Sequence, residues 1–335
     1  MHQAGGSNSL MADLSLIRSA RATAIERIRA LVQRGPRKTF ILGVGAQKAG
    51  TSWLFRYLDR HPECAMGPIK EHATFSTAFG ATDWPGFSRQ KLLALREEID
   101  RHLAELEPPE PPAALPESAR LLALLDQVAL ERDPSRRYVQ HFDRLLADNP
   151  ACHLTGDITP AYSMLDAATF GRIRAMLIAG GYQVRVVFLM RDPVERCYSM
   201  VRMADRNARK RGRKPSRPAH LRFATEAVEP WCEARTRYDQ TIRALEQAFM
   251  PDELCIRFYE SFITEAGIAD LTRFLGISHA RPVLEHRENT SPREAEPSRE
   301  AIASVREYYA PVYDYCIERF GLEAVQANWS HAVSR

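Results

Sequence analysis

Lys48 lies in the run Gly45-Ala-Gln47-Lys48-Ala49-Gly50-Thr51-Ser52. A cation, a glycine and two hydroxyls in that order suit a loop that holds an anion through backbone N–H groups and one ammonium. Residues 40–44 ahead of it form an apolar run short and β-rich enough for a buried strand. Behind it, Trp53, Leu54, Tyr57 and Leu58 recur at helical spacing. Strand, glycine loop and helix start aim a helix N-terminus at one point, where a phosphate-like group is stabilised. A tight strand-to-helix turn of any α/β protein reads the same way from the loop alone. The loop is not a Walker A motif, in which lysine directly follows the second glycine. Here Thr51 follows Gly50, and Lys48 stands two positions before it. A lysine so placed meets the anion from the loop side, with no need for a γ-phosphate and a metal.

A second stretch repeats the arrangement. Residues 184–190 form another buried-strand run, ending in Arg191-Asp192-Pro193, with Ser199 further on. Proline is tolerated in a first helical turn, where its missing N–H has no partner to lose. A helix starting there puts Arg191 at the strand's carboxyl end and Ser199 about two turns along. Ligands of open parallel sheets bind at the carboxyl ends of strands. Two such ends with anion-binding chemistry imply one ligand with two anionic groups. Between them, Glu71 in Lys70-Glu71-His72 offers a carboxylate suited to a general base, or to an ion pair with Lys70.

These stretches resemble those of the sulfotransferases that use 3′-phosphoadenosine 5′-phosphosulfate (PAPS). Lys48-Ala49-Gly50-Thr51-Ser52, with Gln47 and Trp53 beside it, is similar to their 5′-phosphosulfate loop. Phe188-Leu-Met-Arg191-Asp192-Pro193 with Ser199 is similar to their 3′-phosphate motif. Lys70-Glu71-His72 followed by Phe75, and Thr159-Pro160-Ala161-Tyr162, resemble the heparan sulfate and bacterial carbohydrate branch. The likeness runs over roughly residues 38–320, with the motifs in the expected order. It implies Lys48 and Glu71 as catalytic residues, Glu71 being the base towards the acceptor hydroxyl. It implies 3′-phosphate contacts from Arg191, Ser199 and, in the polar loop near residue 290, Arg293. It places His72, Asp157 and Tyr162 towards the acceptor. One departure stands out: where the heparan sulfate enzymes carry Glu-Lys before Thr-Pro-Ala-Tyr, this chain has Asp157-Ile158, which removes a cation expected to engage an acidic sugar chain.

The remaining sequence must position these groups. At 335 residues, 45% hydrophobic and 26% charged, the chain has the composition of a globular protein with one sizeable core. Strands alternating with helical patterns predict an α/β, three-layer P-loop-like fold with a mostly parallel central sheet. Expected boundaries are a lead and helix over 1–37, a main domain over 38–325 and a tail over 326–335. Residues 12–33 read as a docking helix or a membrane-surface helix. Residues 84–150, polar and broken by Glu107-Pro-Pro-Glu-Pro-Pro112, read as an insertion or a lid-like cover. Short strands are expected at 64–66, 153–157 and 254–260, and helices over 231–249, 262–277 and 305–319. Six scattered cysteines without metal-ligand spacing read as reduced and structural.

The net charge is +4, and 206–218 alone holds seven Lys/Arg and no acid, leaving −3 over the rest. Such a segment attracts an anionic polymer, an anionic membrane surface or nucleic acid, or is a solvated loop. No nucleic-acid fold signature surrounds it. No apolar run approaches the ~18–20 residues of a membrane helix, and no signal peptide can be made out. A cytoplasmic, or membrane-peripheral, location is expected. The expected reaction is sulfuryl transfer from PAPS to a hydroxyl acceptor, carbohydrate favoured and lipid or small molecule open. Its product would be adenosine 3′,5′-bisphosphate (PAP), and no metal is required. A nucleotide kinase or NTPase and a non-catalytic nucleotide-binding protein are the rivals.

Overall fold

A computed structural model describes residues 38–75, 134–282 and 291–332. In chain order the elements are β1 (Lys38–Gly45), α1 (Thr51–Asp59), α2 (Pro134–Asp148), β2 (Leu154–Ile158), α3 (Ala167–Ala179), β3 (Tyr182–Met190) and α4 (Pro193–Lys210). There follow α5 (Ala219–Ala227), α6 (Pro230–Glu233), α7 (Tyr238–Ala248), β4 (Leu254–Phe258), α8 (Tyr259–Phe262) and α9 (Glu265–Leu275). Helices α10 (Arg299–Tyr308), α11 (Ala310–Phe320) and α12 (Leu322–Asn328) complete the set.

The four described strands form one sheet in the order β2-β1-β3-β4, with every pairing among them parallel. From Thr39 to Gly45 every residue of β1 is buried, on both faces of the sheet. Parallel strands read as unbroken apolar runs for this reason: helices cover both sides and leave no face for water. Each parallel step also needs a crossover, and helices supply it, α3 between β2 and β3 and α4 to α7 between β3 and β4. The α/β, three-layer architecture read from the sequence is the one observed.

Several boundaries differ from the sequence reading. Cys64 makes a single parallel bridge to Leu154 rather than a strand. The helix expected over 231–249 is interrupted after Glu233, where the Thr236 hydroxyl donates to the carbonyl of Cys232 at 2.7 Å. The helix expected over 305–319 is two, α10 and α11, meeting at Tyr309, because Pro311 suits a first helical turn and not an interior. Residues 206–210 of the basic segment are not loop but the last turn of α4. The 84–150 stretch ends in α2, which is core: Tyr138, Phe142 and Leu146 recur on one face and are buried. Phe40 of β1 meets the Phe142 ring edge-on at 4.8 Å. Residues 1–37 and 84–133, with Leu121, Leu122, Leu124 and Leu125, lie outside the described residues.

Strand β2 packs so closely on β1 that a Cβ built at Gly156 would stand 2.1 Å from the carbonyl oxygen of Ile41. Gly171, inside α3, has nothing within 4 Å of such a Cβ. We therefore expect Gly156→Ala to lose about 1–3 kcal/mol of stability, or more, by overpacking. Gly171→Ala should gain about 0.5–1 kcal/mol from helix entropy. Urea unfolding of both variants checks the pair, and equal effects at the two positions would contradict the register described.

Candidate active site

Strand β1 leaves the sheet through a register shift against β3 between Gly43 and Gly45. The loop that follows is wound left-handed at two places, Lys48 with φ 74° and Gly50 with φ 83°. At Gly50 the conformation favours glycine, and a Cβ there would also lie 2.8 Å from the Tyr259 ring. Lys48 takes the same region with a side chain, an uncommon and costly placement found where a site over-determines the backbone. Gly50 caps α1 and has no side chain with which to accept from its first turn. The positive end of the helix dipole therefore lies at the loop. Thr51 and Trp53 are buried, Trp53 stacked on Tyr57 at 5.5 Å.

Strand β3 ends one position along the sheet, and its loop meets the first. The Arg191 guanidinium donates to the carbonyl of Lys48 at 3.4 Å and to Glu195 at 3.1 Å, and lies 5.6 Å from the Tyr259 ring centre. Asp192, only 1% exposed, caps α4 by accepting from the N–H of Val194 at 3.0 Å. The same carboxylate accepts from the Tyr313 hydroxyl at 2.7 Å and the backbone N–H of His331 at 2.9 Å. The backbone N–H of Asp192 donates to the Glu260 carboxylate, in α8 just after β4, at 3.0 Å. Burial pushes the Glu260 carboxyl up to about 7. Pro193 occupies the first helical turn as expected, and Ser199 lies on α4, 6% exposed.

Arg293 reaches the same corner from the loop after residue 290. It contacts Glu195 through two N–H groups, at 3.0 and 3.1 Å, and pairs with Glu296. Glu195 thus joins Arg191 to Arg293, the two arginines singled out for one phosphate. The nearby His331 imidazole, 3.9 Å away, and then Arg293 hold its carboxyl down at about 2.

The ammonium of Lys48 sits where positive charge accumulates. Burial is the largest cause of its low pKa, about 8, and Arg206, Arg191 and Arg202 add to it in that order. An anion placed among these groups meets cations from β1, β3 and α4 at once.

Glu71 lies on the loop beside the carboxyl end of β2, where Lys70 accepts from the N–H of Ile158. It is half exposed and ion-paired with Lys70. The three side chains expected towards the acceptor are buried instead. Asp157 accepts from the hydroxyls of Tyr162 at 2.7 Å, Thr159 at 2.7 Å and Tyr138 at 2.9 Å. The His72 ring packs between His141 and Phe142, at 5.0 and 5.1 Å. A buried carboxylate must be hydrogen-bonded, and these tyrosines meet that need beneath the loops rather than on their surface. Burial, then the Asp157 charge, pushes both the Tyr138 and Tyr162 hydroxyls well up.

The family model of the sulfotransferases matches residues 40–281. The chain belongs to the sulfotransferase family. Among solved structures it is similar to a sulfotransferase from Alicyclobacillus acidocaldarius, at 18% identity over 85% of this chain and 96% of that one, with a TM-score of 0.48. It is also similar to the sulfotransferase domain from the curacin biosynthetic pathway, at 15% identity over 81% and 83%, with a TM-score of 0.38. A Mycobacterium avium sulfotransferase shares 14% identity over 92% of this chain and 79% of that one, with a TM-score of 0.37. No curated protein matches the chain.

Sequence reasoning about this sulfotransferase missed Glu195, Tyr259, Glu260 and Arg202, and took Arg206 only as part of the basic segment 206–218. Glu195 could have been found, since a carboxylate in a first helical turn after Asp192-Pro193 sits beside both arginine motifs. Tyr259 and Glu260 carried no local signal, because only the sheet order brings β4 to β3. Among the described residues no cluster of His, Cys, Asp and Glu is arranged to hold a metal. No described helix is long and apolar enough to cross a membrane.

The strained charge of Lys48 has a measurable sign. Its folded pKa is lowered from 10.5 to about 8, so the penalty falls on the charged form. That penalty is fully present below pH 8 and fades as pH rises towards the unfolded value. Lys48→Met should therefore be more stable than the parent by on the order of 1–3 kcal/mol at pH 7. The gain should shrink as pH approaches 10.5. Urea unfolding at both ends of that range tests it, and no gain at pH 7 would mean the ammonium is not strained.

Proposed function

We propose that this sulfotransferase moves a sulfuryl group from PAPS to a hydroxyl acceptor, a carbohydrate before a lipid or small-molecule alcohol. The observation that carries the reading is that Arg191 contacts the Lys48 loop ahead of the α1 N-terminus while Glu195 joins it to Arg293, at the neighbouring ends of β1 and β3. The donor set suits a ligand with two separated anionic groups. One end of the crevice offers an ammonium and backbone N–H groups, the other two guanidinium groups and the Ser199 hydroxyl. Cleft chemistry of this kind favours the strand ends where the sheet order turns back on itself.

Each residue then has a task. Lys48, with the loop N–H groups, stabilises charge on the sulfuryl oxygens and on the departing 5′-phosphate oxygen. Removing one preorganised donor of this sort typically costs about 10²–10³ in rate. Glu71 takes the proton of the acceptor hydroxyl as that oxygen bonds to sulfur and the bond from sulfur to the phosphate oxygen breaks. Arg191, Ser199 and Arg293 hold the 3′-phosphate and so separate this donor from ATP. Glu195 keeps Arg191 and Arg293 aimed at a common point, which a phosphate can share with it. In-line displacement of this type is governed by positioning and charge stabilisation.

Thermal stability is the first test. PAP at ~100 times its dissociation constant should add about 2.7 kcal/mol, and 5′-AMP should add much less. A shift only with ATP and magnesium would favour the kinase reading. Glu71→Gln should lower kcat by about 10²–10⁴ while PAP binding stays unchanged. Near-normal turnover in that variant would remove Glu71 as the base.

A further inference from the structure

Beyond Ser199, helix α4 keeps the same side turned towards the loop at 291–295 and the start of α5. Ser199, Arg202, Arg206 and Arg209 recur there at spacings of three and four. Between these parts lies a cleft of about 320 Å³, walled by Arg202, Arg206, Arg209, Lys210 and His220 with only Asp205 and Glu294 as acids. Both acids are committed. Asp205 is ion-paired with Arg222, which does not line the cleft, and Glu294 lies 3.0 Å from Arg209. Arg202 is held in place by donating to the carbonyl of Ser291 at 2.8 Å, with its guanidinium 4.9 Å from the Tyr198 ring centre.

This set of cations is separate from the one proposed for the donor's 3′-phosphate. Glu195 binds Arg191 and Arg293 together, whereas Arg202, Arg206, Arg209 and Lys210 face the cleft. Yet the two sites adjoin. Tyr198 lies between Arg202 and Arg293, 5.5 Å from the latter. Arg202 and Arg206 also act on the Lys48 ammonium. A cleft at the small end of ligand-pocket volumes has room for about one sugar-sized unit. Such excess positive charge favours an anionic occupant. At the carboxyl end of β2, Asp157 is buried, Ile158 follows it, and the neighbouring Lys70 is paired with Glu71.

We infer that this cleft is a subsite for an anionic group of the acceptor, a carboxylate, sulfate ester or phosphate ester one unit from the hydroxyl that reacts. The inference rests on the donor reading above, because it makes the cleft the acceptor's side of the same crevice. It assigns to α4 the selection of charged over neutral acceptors, a role the motif stretches do not carry.

The test is calorimetric titration of the chain saturated with PAP, using glucose 6-sulfate, glucose 6-phosphate, glucuronate and glucose as probes. At least one anionic sugar should bind while PAP stays bound, and glucose should not; which one binds tells sulfate, phosphate and carboxylate apart. An Arg209→Ala/Lys210→Ala double variant, both positions being exposed, should weaken that binding about tenfold or more. Its affinity for PAP should stay within about twofold, since neither residue belongs to the donor contacts. Absence of anionic-sugar binding, displacement of PAP by the sugar, or unchanged binding in the double variant would each overturn the inference. Failure of PAP to bind while the anionic sugar binds and the double variant loses it would leave the cleft standing and strike the donor reading instead.

Discussion

Strand β1 is hydrogen-bonded along both edges and buried on both faces, so the chain can vary only where it leaves the sheet. That constraint fixes much else. With β2 on one side and β3 on the other, the loop after Gly45 has nowhere to open except between the carboxyl ends of its neighbours. Arg191 closes on the Lys48 carbonyl from one side, and Lys70 pairs with the end of β2 from the other. The left-handed turns at Lys48 and Gly50 are what a strand so tightly held requires to reverse into a helix at once. The site is the place where a rigid sheet runs out of partners.

The parts of this arrangement that were legible in the sequence are those whose signal is local. Residues 40–44, and 184–190 apart from Arg185, are apolar, as a strand covered on both faces demands. Asp192-Pro193 announces a helix start by itself. What was not legible depends on residues far apart. Tyr138 reads as part of a polar, proline-broken stretch, yet its hydroxyl satisfies Asp157 at the end of β2. His72 and Tyr162 look available to a substrate because polar side chains beside a motif suggest function. Their neighbours across the fold bury them. Arg206 to Lys210 read as loop because the charge run continues into Gly212 and Pro215. Helical spacing from Ser199 onward was the stronger signal, and it put those arginines on one face.

Charge is unevenly managed across the site. Glu195 and Glu296 together compensate Arg191 and Arg293, so that corner is close to neutral. Lys48 stands instead in the field of Arg206, Arg191 and Arg202, and the lysine bears the consequence, together with its burial, in its lowered pKa. A protein tolerates such repulsion where the stability lost is small beside the binding it favours.

The buried carboxylate of Asp192 has a bearing on biosynthesis. Two of its partners, Tyr313 and His331, stand 121 and 139 residues downstream. The ribosome delivers the chain from its N-terminus, and domains begin to fold as they emerge. All four strands, the last ending at Phe258, are out well before either partner. A nascent chain with its sheet complete still carries Asp192 without the contacts that lock the start of α4. The corner around Asp192 is therefore among the last parts of this sulfotransferase to set, after the scaffold that positions it.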